Sequence, residues 1–259
     1  MFDNLKKMWH KKDNPVAMVP IEKPKSSEFK VAAMMTLPRY ENVYCRNVVD
    51  AALREVGVPL QTAQGVFYGQ CMQRLFARAI AHDIDVAVTI DFDSIFTGKD
   101  IMALLQGLAA NPDIDAIAAM QARRGGHHPL MTIKGQTSVT WDGKPIRVTT
   151  AHFGLTVIRL KSLEKMAKPW FHCTPGKDGE WEDDSGKIDD DIYFWQKFGE
   201  AGNVVAVDPG VRIGHMEEMI AIHDDNMQVR HMYPKAWRQW MDGGKREDHF
   251  AEAAKDEPI

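Results

Sequence analysis

Val86-Ala87-Val88-Thr89-Ile90-Asp91-Phe92-Asp93 decides how this chain is read. A short, apolar, β-branched run of this kind suits a strand buried on both faces. It ends abruptly in two carboxylates. Toward the N-terminus, Gln70 to His82 reads as a helix with Leu75, Ala79 and Ile80 turned inward, and Val58 to Phe67 as an extended segment. Before these, Val43, Val48, Ala51, Ala52 and Val56 recur at roughly helical spacing, between a capping Asn42 and a closing Gly57. VAAMM (31–35) is a further apolar strand. Pro38 stops it and holds Leu37 extended. Toward the C-terminus, Lys99 to Ala110 carries Ile101, Leu104, Leu105 and Leu108 on one helical face, and Ile114 to Met120 is again extended. Strands and helices therefore alternate over residues 30–120. That order predicts an α/β fold with a mostly parallel central sheet and helices on both faces. Ligands of such sheets bind at the carboxyl ends of the strands, which is where Asp91 and Asp93 fall.

After residue 120 the pattern changes. Residues 123–128 (Arg-Arg-Gly-Gly-His-His) read as a flexible basic loop, followed by short extended pieces near 131–133, 139–141 and 146–149. Phe153 to Leu160 is a further strand, and Leu163 to Lys168 a short helix ended by Pro169. Residues 174–187, Gly-rich and acidic, read as a mobile loop. Asp189 to Ala201 is a helix with Ile188, Ile192, Trp195 and Phe198 on one side, and Asn203 to Val207 reads as the last strand. The organisation expected is a polar extension over 1–29, a folded domain over 30–216 and a helical, polar tail over 217–259 that carries Trp237 and Trp240.

Composition narrows the class. The 259 residues are 44% hydrophobic and 26% charged, which excludes disorder and a disulfide scaffold. Lys and Arg number 32 against 36 Asp and Glu, a net charge of −4, so a wholesale basic nucleic-acid binder is disfavoured. Cys45, Cys71 and Cys173 form no CxxC pair, which argues against a structural zinc cluster and for a reducing compartment. The opening MFDNLKKMWHKKDNP has no apolar core of a signal peptide, and no stretch approaches the ~20 apolar residues of a membrane span. A cytoplasmic location is expected.

Three groups could carry chemistry. Asp91 and Asp93, one residue apart at a strand end, suit a hard divalent cation that bridges phosphate oxygens; an exposed acidic turn is the simpler use. Asp189, Asp190 and Asp191 open a helix, where carboxylates complement the positive end of the dipole. Three in a row also repel one another, which raises the pKa of one toward base chemistry. His215, in DPGVRIGH (208–215), offers a neutral imidazole to a metal, or is an ordinary surface histidine.

With these pieces in order, the chain resembles the GT-A glycosyltransferases. The resemblance rests on Thr36-Leu37-Pro38 after an early strand, the D-x-D at 91–93 and Gly154-Leu155-Thr156-Val157-Ile158. It continues through Pro169-Trp170-Phe171, the acidic pair Asp190-Asp191 before Phe194, and the later A-G, D-P and G-H pairs. It spans about residues 30–216. It implies a metal-dependent transfer of a sugar from a nucleotide-sugar donor to an acceptor that is a glycan, a lipid-linked glycan, a protein or a modified nucleic acid. It further implies that Asp93 and His215 hold Mn²⁺ or Mg²⁺, with Asp91 near the ribose or the metal. Thr36, Pro38 and Arg39 would lie along the donor with Asp91 and Phe92, and Gly154 and Trp170 would shape the acceptor side. Asp191 would be the base of an inverting enzyme, with Asp190 one register away. The Q-x-x-R-W motif of processive synthases is missing from the sequence. Arg123 or Arg124 could pair with the diphosphate, and the loop at 174–187 could close over the donor. The tail could serve a homo-oligomer, cover the acceptor site, or do neither.

Two other classes fit less well. A phosphohydrolase of the haloacid-dehalogenase type places D-x-D on its first strand, whereas here it follows two strand–helix units. A binding module that kept the scaffold and lost the chemistry would show no Mn²⁺-dependent donor hydrolysis.

Overall fold

The computed structural model describes residues 29–124, 128–135, 142–181, 185–223 and 226–241. Most of the polar extension, the middle of the basic loop, the extended piece at 139–141, part of the loop at 174–187 and the end of the tail lie outside the described residues.

The first half follows the alternation in the sequence. Strands β1 (Val31–Leu37), β2 (Leu60–Gln64) and β3 (Val86–Ile90) are joined through helices α1 (Val43–Val56) and α2 (Tyr68–Ala81). The Asn42 side chain accepts from the Tyr44 and Cys45 amides, and Gly57 closes α1 at φ 69° in the left-handed region. The buried face of α1 is Cys45, Val49, Ala52 and Leu53, not the Val43, Val48 and Ala51 of the spacing argument; Val43 is 72% exposed. Helical periodicity finds the helix, but an apolar residue at its first turn, beyond the edge of the sheet, has nothing to pack on. Helix α3 (Gly98–Ala110) follows the two-residue strand β4 (Ser94–Ile95), which is too short to show in sequence. Strand β5 is Ala116–Gln121.

The sheet order is β2-β1-β3-β7-β5-β8-β4, with β6 (Ile146–Val148) also on β8. Strands β1, β2, β3, β5 and β8 share one direction. Strand β7 (Leu155–Arg159) runs against them, wedged between β3 and β5. The mostly parallel sheet expected from the sequence is therefore present, with one antiparallel insertion at its centre. The helical turn expected at 163–168 is a 3-10 turn earlier in the chain, Leu160–Lys165.

Each face of the sheet carries helices, and the strands alternate between them. Val31, Ala33, Met35, Val86, Val88 and Ile90 pack under α1 and α3. On the other face Ala32, Ala87, Ala116 and Ala118 are small, which leaves room for the aromatic side chains of α4 (Asp190–Glu200): Phe194, Trp195 and Phe198. Phe194 and Phe171 stack at 4.9 Å between centroids, and Phe153 and Trp195 at 5.1 Å.

Strand β8 (Val205–His215) corrects the expectation of a last strand ending at Val207. Its pairing with β5 jumps from Ala119↔Asp208 to Met120↔Arg212. Pro209 and Gly210 are absorbed in this bulge, and the strand runs on to His215. A hairpin, β9 (Ile220–His223) with β10 (Val229–Met232), and helix α5 (Pro234–Met241) follow.

Candidate active site

The site is built where β3 and β8 end. After Ile90 the chain turns, with the Ser94 amide donating to the Asp91 carbonyl at 3.1 Å. The Asp91 amide donates to the carbonyl of Gly154 at 3.3 Å, and the Met216 amide to the carbonyl of Asp93 at 2.8 Å. Register pairs Ser94 with His215 across β4 and β8. That pairing sets the His215 Nε2 3.4 Å from the Asp93 Oδ2. The imidazole's other nitrogen, Nδ1, lies 3.0 Å from the Ala122 carbonyl, which fixes it as the N–H donor. The lone pair of a neutral Nε2 then faces a carboxylate oxygen, and two acceptors so placed need a proton or a cation between them.

The charges respond to this arrangement. Burial works against a charged His215, yet the hydrogen bonds to Asp93 and the Ala122 carbonyl outweigh it and raise its pKa. For Asp93 burial works upward, but His215 and the Arg124 guanidinium, 3.1 Å away, hold its carboxyl below the usual value. At Asp91 the same two groups pull downward but are outweighed. Its burial, and then the carboxylates of Asp93 and Asp191, push its pKa up to about 7.

Asp93, Asp91, Phe92, Thr36, His215 and the Asp189–Asp191 run all line one cleft of about 640 Å³. The three groups read as chemistry in the sequence are thus brought together. Asp190 and Asp191 occupy the first turn of α4 but have different surroundings. The Asp190 Oδ2 accepts from the Gly69 amide at 3.2 Å, tying α4 to the start of α2. A Cβ at Gly69 would stand 2.6 Å from the Asp190 Oδ1 and 2.7 Å from the Phe171 Cβ, so this approach requires glycine. Among the described residues, the Asp191 side chain accepts from the neighbouring Ile192 amide at 2.8 Å. Burial, together with the charges of Asp189 and Asp190, raises its pKa.

Other expected residues fall elsewhere. Pro38 and Arg39 sit on the loop after β1 and do not line this cleft. Gly154 lies beneath its floor, where a Cβ would run into the Gln121 Oε1, His152 Nδ1 and Ser94 Oγ. Trp170 is 4% exposed in the aromatic core, its indole N–H donating to the Met166 carbonyl at 3.1 Å. Arg123 and Arg124 do reach the cleft wall.

The sequence reading missed Tyr68, His152, Phe153 and Trp181, which also line the cleft. His152 shows why. It is 5% exposed, with Nε2–H donating to the Ala119 carbonyl at 2.7 Å and Nδ1 accepting from the Gly154 amide at 2.9 Å. Nothing in its sequence neighbourhood marks it; only the packing of β5 against β7 does. Burial keeps it neutral, with a pKa near 4 against an ordinary 6.5. Between these values the unfolded chain binds a proton that the folded chain refuses, so stability falls as pH drops through this window. The full effect approaches about 3 kcal/mol. The denaturation midpoint is expected to fall between about pH 7 and pH 5, and His152→Gln to flatten that slope at a lower baseline. An equally steep slope in the variant would assign the effect to other groups.

Among the described residues, no cluster of three or more His, Cys, Asp or Glu side chains forms a closed metal site. Asp93 and His215 offer one oxygen and one nitrogen, a donor set that fits a cation completing its shell with ligand oxygens and water. Among the described residues no helix is long and apolar enough to cross a membrane.

No protein-family model matches the sequence, and no curated protein matches it. Solved structures do. A197 from STIV is similar in fold over 77% of this chain and 92% of its own, with a TM-score of 0.51 at 12% identity. GalNAc-T7, solved with UDP, GalNAc and Mn²⁺, is similar over 71% of this chain, with a TM-score of 0.50 at 9% identity. This chain corresponds to only 42% of the length of that GalNAc-T7 chain. At such identities the likeness speaks for architecture alone. The chain is a mixed α/β protein of the GT-A fold, with a central, mostly parallel sheet and an acidic cleft at the carboxyl ends of its strands.

Proposed function

We propose that this protein is a metal-dependent glycosyltransferase that moves a sugar from a nucleotide-sugar donor to a hydroxyl of an acceptor. The observation that carries the reading is the convergence of Asp91 and Asp93, Asp191, and His215 on one cleft from three separate parts of the chain. GalNAc-T7, which shares the fold, was solved with UDP, GalNAc and Mn²⁺.

In this reading Asp93 and His215 hold the cation, Mn²⁺ or Mg²⁺, and the high pKa of Asp91 reflects first its burial and then the repulsion of neighbouring carboxylates, which a cation would relieve. The cation supplies charge neutralisation to the diphosphate of the donor. Arg124, already beside Asp93, adds a second positive group on the same side. Thr36 lies along the nucleoside. The acceptor oxygen attacks the anomeric carbon, the bond from that carbon to the diphosphate oxygen breaks, and nucleoside diphosphate leaves. Asp191 takes the hydroxyl proton. Its raised pKa suits a base, and its carboxylate is not committed to another helix as that of Asp190 is. Gly154 and Trp170 act from below, the first by seating the D-x-D turn and the second by packing behind α2.

The test is a panel of nucleotide sugars assayed for release of nucleoside diphosphate, with and without Mn²⁺. One donor is expected to be turned over, with strong stimulation by Mn²⁺ and loss of turnover in chelator. A binding module on the same scaffold would retain nucleotide affinity and release nothing.

A further inference from the structure

The cleft that holds Asp191 is also lined by Trp181, a residue 50% exposed. The contrast with Trp170 and Trp195, at 4% and 0%, is sharp. A large indole left open to water at a cleft wall is unusual for a side chain that normally finds cover. Trp181 belongs to the loop between Thr174 and Ile188. Its loop is pinned at the base by reciprocal hydrogen bonds between Thr174 and Ile188, at 2.8 and 2.9 Å. It is pinned again by Lys177 N–H to the Ser185 carbonyl at 3.2 Å and Gly176 N–H to the Glu180 carbonyl at 2.8 Å, with Gly176 packed hard against Ser185. The described residues on either side of the indole are thereby hydrogen-bonded to one another.

We propose that Trp181 is a stacking platform for a pyranose ring, so that the acceptor is a neutral carbohydrate. This deepens, and rests on, the glycosyltransferase reading of the cleft. A pyranose has a flat face of C–H groups and a rim of hydroxyls. The face matches an open indole, and the rim matches carboxylate acceptors, which Asp189 and Asp191 supply in the same cleft. A nucleic-acid acceptor would also stack, but its phosphates would be set against three consecutive aspartates on a chain of net charge −4. A lipid tail would leave the carboxylates of Asp91, Asp93 and Asp189–Asp191, which line the same cleft, without hydrogen-bond donors.

The experiment reads binding directly, without turnover. The indole N–H signal of Trp181 in ¹⁵N-labelled full-length protein is assigned by its loss in Trp181→Phe. It is then followed during titration with maltotriose, cellotriose, chitotriose and mannotriose, with a short single-stranded oligonucleotide and with a Ser/Thr peptide. At least one trisaccharide is expected to shift the signal. Its affinity should fall about tenfold or more in Trp181→Ala and largely recover in Trp181→Phe, while nucleotide affinity is unchanged. If no trisaccharide moves the signal, or the oligonucleotide or peptide does so instead, the platform is refuted. Donor hydrolysis is scored separately. A trisaccharide response without any donor turnover keeps the platform and removes the transferase reading; turnover without a trisaccharide response does the reverse.

Discussion

Asp93→Ala is expected to lower Mn²⁺-stimulated nucleoside diphosphate release by about a thousandfold, on the scale of several kcal/mol that a bound cation contributes to such a leaving group. The residual rate should no longer respond to Mn²⁺. The fold should survive, because the Met216 amide bonds to the Asp93 backbone carbonyl and not to its side chain. Removing the carboxylate also takes away one of the two groups that raise the His215 pKa, leaving the Ala122 carbonyl, so the imidazole should titrate lower in the variant. That shift can be read by NMR independently of activity. An Asp93→Ala protein that keeps a normal rate and a normal Mn²⁺ response would overturn the cation assignment.

Asp191→Asn is expected to leave nucleotide binding intact and to lower transfer by about a hundredfold or more, the usual contribution of a positioned base. The wild-type rate should rise with pH along an acid limb lying above the ordinary carboxylate range, because Asp191 must be ionised to accept the proton and its pKa is raised. In Asp191→Asn this limb should vanish. Asp190→Asn should do less, since an asparagine oxygen can still accept from the Gly69 amide. A larger loss in Asp190→Asn than in Asp191→Asn would move the base by one residue and make Asp191 the positioning group.

These two expectations differ in how much of them the sequence could support. The D-x-D was legible because a buried strand must end where charge begins, and Val86–Ile90 ends at Asp91 as read. The choice between Asp190 and Asp191 was not legible. Both are aspartates in a first helical turn, and what separates them is the Gly69 amide, 121 positions away. His152 and Trp181 were missed for the same reason: a buried neutral histidine and an open tryptophan are defined by their surroundings.

Local pattern alone determined the alternation of the longer strands and helices over the first 120 residues, though not the short β4 or the buried face of α1, because burial on both faces writes itself as apolar runs and helical stripes. It also named the acidic and imidazole groups, since those side chains are rare at the ends of buried elements. Tertiary structure decided the rest. It drove β7 antiparallel between β3 and β5 and carried β8 through Pro209 by way of a bulge. It also set His215 opposite Asp93. Each of these is a choice of partner between segments far apart in the chain, and such choices follow from long-range hydrogen bonding and packing, which leave no periodic trace in the residues themselves.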